Sequence, residues 1–100
     1  MVVQALIEKK LSEGLSPVFL QVDNESYLHN VPENAETHFK VVIAADAFVG
    51  QRAVQRHQEI YRLLAEELQK GVHALAIHAY TPQDWQAQGQ APTSPECLGG

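Results

Sequence analysis

One hundred residues make one domain, and 45% hydrophobic against 19% charged residues is an ordinary globular balance. A formal net charge of −5 argues against nucleic-acid binding driven by overall charge, because basic surface supplies most non-specific affinity. The lone cysteine, Cys97, excludes an internal disulfide and suits a reducing, cytoplasmic setting. No apolar run approaches the ~18 residues needed to cross a bilayer. The opening MVVQALIEKKLSEG places its lysines after the apolar residues, with no small-residue cleavage site, and does not read as a signal peptide.

Val3, Leu6, Ile7 and Leu11 fall at helical spacing and predict a first helix over residues 2–13, with Gly14 as its stop. Pro17 leads into VFLQV, a strand in which Val18, Leu20 and Val22 alternate with Phe19 and Gln21. From Asp23 to Glu36 the composition turns to Asn, Glu, Ser and Pro, which marks a loop too long for a tight hairpin. Loops held on a rigid scaffold often carry function. HFKVVIAA is the second strand, with Phe39, Val41 and Ile43 on one face by the period of two.

After a turn at Ala47–Gly50, the longest helix runs over residues 51–69. Its inward stripe reads Val54, His57, Tyr61, Leu64 and Leu68, supported by Ile60. Gly71 ends it. VHALAIHAY is the third strand. Thr81, Pro82 and Asp84 then supply an N-cap, a first-turn proline and a dipole-friendly acid for a short helix that would bury Trp85. Residues 87–100 are Gln-, Pro-, Ser- and Gly-rich and are expected to form a flexible tail on a domain of residues 1–86. The order α-β-β-α-β-α predicts an α+β fold with a three-stranded mixed sheet covered by helices on one face.

The chemistry-bearing residues are mainly histidines. His29 lies mid-loop, either as an exposed bystander or as a ligand. His73 opens the third strand, either as a core histidine or, at the strand end, on the rim. His57 falls in the apolar stripe and reads as packed, His38 as lying on a solvated sheet face, and His78 as structural or superficial. No Ser-centred elbow, Gly-rich phosphate loop or HExxH helix is present, so the chain reads as a non-enzyme. Arg52, Arg56 and Arg62 lie close together with only Glu59 between them, a local basic patch in an acidic chain.

Three segments, NESYLHNVPENAETHFKVVI, AFVGQRAVQRHQ and VHALAIHAYTPQDW, occur in that order. They resemble the BolA family, and its bacterial branch in particular, over roughly residues 1–86. The resemblance implies a fold like a class II KH domain. It also implies a non-enzymatic transcriptional regulator of stress response and cell shape. It marks His73, in VHAL, and the loop histidine, here His29 in SYLHNVP, as metal ligands. The implied cofactor is a 2Fe–2S cluster shared with a monothiol glutaredoxin and its bound glutathione, since one cysteine cannot furnish four ligands. The alternative is direct promoter binding through the KH-like face around Gly50, with phosphate contacts from Arg52, Arg56 and Lys40. KH domains clamp a backbone through GxxG. In FVGQRAVQRH, Ala53 stands where the second glycine would fall, which weakens that clamp.

Overall fold

The computed structural model describes residues 2–26 and 35–88. His29, Cys97 and the expected tail beyond Gln88 lie outside them. The chain forms α1 (Val2–Leu15), β1 (Phe19–Asn24), β2 (His38–Ala44), a 3-10 turn (Asp46–Phe48), α2 (Ala53–Leu63), α3 (Ala65–Lys70), β3 (Ala74–Tyr80) and α4 (Pro82–Gln88). The sheet order is β1-β2-β3, with β1 antiparallel and β3 parallel to the central strand. The expected mixed sheet and element order are therefore present. Parallel pairing of β2 and β3 needs a long crossover, which α2 and α3 supply.

Strand β2 is buried from Phe39 to Ala44. Phe39, Val41 and Ile43 face the helices and join Ile7, Leu11, Ile60, Leu64 and Phe48 in one core. Each such side chain contributes about 1.5–3 kcal/mol by leaving water. The other parity of β2 points to the opposite face. There Ala44 lies between Phe19 and Tyr80 in the sheet register, and Trp85 of α4 covers that end. The Trp85 ring stacks on Phe19 at 4.3 Å and tilts against Tyr80 at 5.5 Å. Thr81 caps α4 as its sequence suggests, its hydroxyl accepting the Asp84 N–H at 3.1 Å. Helices α1–α3 thus cover one face, and α4 covers one end of the other.

Four details depart from the sequence expectation. Helix α1 does not stop at Gly14 but runs through it to Leu15. A Cβ on Gly14 would lie 2.9 Å from both methyl carbons of Leu63, so this glycine lets α1 and α2 approach closely. The chain turns instead at Ser16, whose φ is +45. Strand β1 takes in Asp23 and Asn24, placed by composition in the loop, because they pair with Lys40 and Phe39 of β2. The long helix breaks at Leu64 (φ −104, ψ 18), whose N–H is shared between the carbonyls of Ile60 and Arg62. The inward stripe also differs: Ile60 and Leu64 are buried, whereas Val54 and Tyr61 are 52% and 42% exposed. Both face water because the crossover lays the 60, 64, 67 row on the core. That row includes Glu67, buried with its Oε2 accepting from Lys10 at 2.6 Å.

Gly14→Val should lower unfolding free energy by about 1–3 kcal/mol, the usual cost of overpacking. Adding Leu63→Ala should recover part of that loss. Urea unfolding of the two single variants and the double variant reads the coupling directly.

Candidate functional site: a histidine rim at the start of the parallel strand pair

The parallel register sets His38 of β2 opposite Ala74 of β3, so both strands begin at the same end of the sheet. Backbone hydrogen bonds build this end. The Thr37 carbonyl accepts the His73 N–H at 2.8 Å and the Ala74 N–H at 3.2 Å. Gly71 and Val72 both donate to the Glu67 carbonyl, turning the chain sharply out of α3 toward His73. The result presents His73 on the exposed rim rather than in the core, resolving the two readings its parity left open.

Beside it stands His38, which periodicity assigned to a solvated sheet face. It is half-buried, and its ring lies nearly parallel to that of His73, 14° between planes and 6.4 Å between centroids. Its Nδ1 is 2.8 Å from the Thr37 hydroxyl. Sequence reasoning missed this pairing because it depends on strand register: 35 residues separate His38 from His73. The adjacent Thr37–His38 dipeptide was the available signal, a hydroxyl next to an imidazole at a strand start.

The same end fastens the described residues on either side of the segment 27–34, in which His29 falls. Ser26, 3% exposed, accepts through Oγ from the Thr37 N–H at 3.0 Å and the His38 N–H at 3.1 Å. Asn24 donates from Nδ2 to the Ala35 carbonyl at 2.9 Å, while its Oδ1 accepts the Ser26 N–H at 3.0 Å. Glu25 adds an N–H to the His38 carbonyl at 2.7 Å. Residues 26 and 35, between which His29 falls, are therefore fastened next to the two rim histidines. Among the described residues no group of three or more His, Cys, Asp or Glu is placed to hold a metal ion.

The residues assigned to phosphate contact fall into three situations. Gly50 is exposed, with φ +81 and open space where a Cβ would stand, so its role is the left-handed turn itself. Arg52, also exposed, caps α2 next to it, its N–H donating to Gln55 Oε1 at 2.8 Å. Arg56 acts as a strut. Its Nε donates to the Gln51 carbonyl at 3.0 Å and its Nη1 to the Ala79 carbonyl at 3.2 Å, with the guanidinium over the Phe48 ring. Lys40 is elsewhere: in mid-β2, 8% exposed, with Asp23 and Glu25 carboxylates at 3.8 and 3.7 Å. The structure brings Gly50 and Arg52 together on the surface, ties Arg56 down nearby, and places Lys40 among acids.

His78, opposite Val42 on the second sheet face, is held below the usual histidine range, mainly by burial and then by the Lys40 charge. His57 is half-buried on α2. No helix among the described residues is long and apolar enough to cross a membrane.

Fold and rim together define a small α+β domain that carries two stacked imidazoles at one sheet end. A family model described as BolA-like protein matches residues 11–84. The chain belongs to the BolA-like family. It is 52% identical over 99 residues to a Vibrio cholerae protein named DNA-binding transcriptional regulator BolA, covering 98% of this chain and 93% of that one. It is 50% identical over 100 residues to the Escherichia coli protein of the same name, covering 99% and 95%. Among solved structures, mouse BolA1 in solution superposes with a TM-score of 0.85 at 46% identity, covering 96% of this chain and 78% of that one. The BolA domain of SufE1 from Arabidopsis thaliana superposes with a TM-score of 0.76 at 46% identity, covering 81% and 93%.

Because the folded state disfavours protonated His78, this residue should cost stability as pH falls from its unfolded value near 6.5. Above that pH it contributes no dependence. His78→Gln should flatten the acid limb of the stability–pH curve, read as melting temperature between about pH 5 and 7.

Proposed function

We propose that this protein is a non-enzymatic regulator that docks with a monothiol glutaredoxin and shares a 2Fe–2S cluster with it through His73 and His29. The observation carrying this reading is the exposed His73, held by its own backbone on a rim beside Asn24, Ser26 and Ala35, the fastened residues that flank the segment containing His29. The donor set fits half of a cluster site. A 2Fe–2S centre takes four ligands, usually thiolates, with imidazole able to replace thiolate on one iron. This chain offers imidazoles at the rim and one cysteine in all, so the thiolates must come from the partner and from glutathione. When bound, the cluster supplies one-electron chemistry and a metal-sensitive link between the two proteins. The chain's own contribution is positional: the Thr37 carbonyl fixes the His73 backbone, and Ser26 and Asn24 fix the loop stems.

Since neutral imidazole is the ligand form, assembly should weaken on acidification through the histidine range. His73→Ala, co-purified anaerobically with a monothiol glutaredoxin and glutathione, should lose or alter the visible absorption and circular dichroism of the wild-type complex. An unchanged spectrum would remove His73 as a ligand.

A second reading follows from the names of the Vibrio cholerae and Escherichia coli relatives and from the exposed turn at Gly50 and Arg52. In it the chain contacts promoter DNA directly and controls stress-response and cell-shape genes in the cytoplasm. Backbone N–H groups at the start of α2 and the Arg52 guanidinium would meet phosphate there. Arg52→Ala should then weaken DNA binding and make the salt dependence shallower by about one phosphate contact. Equal affinity for promoter and arbitrary duplex would leave only non-specific binding.

A further inference from the structure

The two outer strands of the sheet are open to different degrees. At the β1 edge the Gln4 side chain of α1 donates from Nε2 to the Val22 carbonyl at 2.8 Å, in the middle of the strand. At the β3 edge the cap sits near one end, where Arg56 Nη1 donates to the Ala79 carbonyl at 3.2 Å. The ladder fixes which groups of β3 look outward. The Ala74 N–H donates to Thr37 and the Tyr80 carbonyl accepts from Ala45, so the even-numbered residues of β3 turn both backbone groups toward β2. Leu75 and Ile77 turn theirs away, and among the described residues those two N–H and two carbonyl groups meet no partner. Ala74 and Ala76 are exposed on the second sheet face. Neither a charge nor a proline, the usual guards of an edge, occurs from Ala74 to Ile77.

We propose that the outer edge of β3 pairs with the same edge of a second copy of this chain, antiparallel about a two-fold axis at Ala76, joining two three-stranded sheets into one. About that axis Leu75 of each copy meets Ile77 of the other, and the two pairs exchange every outward N–H and carbonyl that Leu75 and Ile77 hold free. The next pair, His73 with Ala79 of the second copy, would need the carbonyl that Arg56 already holds, so the pairing ends where the cap begins. Ala76 faces itself at a non-hydrogen-bonded position, where Cα atoms lie about 4.5 Å apart and like charges would repel but alanine does not. A second copy fits this edge better than a flexible peptide does. Its strand is already extended and held by β2, so pairing orders little that is not ordered already. A peptide gives up conformational freedom for the same bonds, and finds no charged side chain along the stretch to select it. The inference does not rest on the ligand reading of His73.

The full chain gives the test, kept under reductant so that Cys97 cannot link two copies. Sedimentation should show the average mass rising from one chain toward two between micromolar and millimolar concentration. Hydrogen exchange read by NMR should find the Leu75 and Ile77 amides exchanging freely when dilute, and slowing by about tenfold or more as the pair fills. Ala76→Lys and Ala76→Glu each set like charges against one another at the axis. Each should keep the mass of one chain and the wild-type far-ultraviolet circular dichroism, and an equimolar mixture of the two should pair again. Ala76→Ser should pair as the wild type does. The exchange measurement uses the unaltered chain, so it decides the matter even where a variant folds poorly. A mass of one chain with both amides exchanging freely at every concentration overturns the proposal. So does pairing that survives both charged variants, which would place the contact on another surface. Protection of the two amides in a single chain at all dilutions also overturns it, because a segment of the chain itself would then cover the edge.

Discussion

Everything in this fold depends on one strand that has no free side. Strand β2 is hydrogen-bonded along both edges, antiparallel to β1 and parallel to β3, and is buried on both faces from Phe39 to Ala44. A strand in that position has its register fixed several times over. A slip of one residue would turn Val41 and Ile43 out of the helical core and drive Lys40 into it. The same register sets His38 beside Ala74 at one end and Ala44 between Phe19 and Tyr80 at the other. Core packing and site geometry are consequences of one pairing.

That pairing also keeps the two surfaces of interest apart. His38 and Ala44 are six residues apart on an extended strand, about 20 Å. The imidazole rim occupies the first end; the Gly50–Arg52 turn follows the second. The rim is built from groups that hold one another in place: a carbonyl shared by two N–H groups, a buried hydroxyl accepting two more, an amide bridging the loop stems. The Gly50 end is held by local turn bonds, from Phe48 to Ala45, Val49 to Asp46 and Gln51 to Phe48, and by Arg56 reaching to the Gln51 and Ala79 carbonyls. Buried, fully satisfied polar groups rigidify and specify. By that measure Ser26, buried and accepting two N–H groups, fixes the start of β2 at the histidine end.

Much of this was legible in the residues. The alternation in HFKVVIA, the Thr81–Pro82–Asp84 cap and the helix-strand order carried the fold, because each rests on local periodicity or local hydrogen bonding. The misreadings share a cause of another kind. Gly14 looks like a helix stop until Leu63 is seen packed against it, and Val54 and Tyr61 look inward until the crossover fixes which row of α2 meets the sheet. Asp23 and Asn24 have loop composition but pair because Lys40 and Phe39 lie opposite. The rim position of His73 was one of the two readings its parity allowed, whereas the pairing of His38 with it was not legible. Periodicity assigns His38 a face but cannot say which strand start lies alongside.

The hydrogen bonds of the rim tie its order to the stability of the core. The described part of the rim takes its order from backbone carbonyls, Ser26 and Asn24. Order already present in the folded chain is order that binding at this end would not have to create. The cost was met during folding, by the same β2–β3 ladder that buries Val41 and Ile43. Stability of the core and readiness of the rim are therefore linked quantities. A substitution that loosens the parallel pair anywhere along β2 should be felt at His73 before the domain as a whole unfolds, because strand ends open at lower free energy than strand centres.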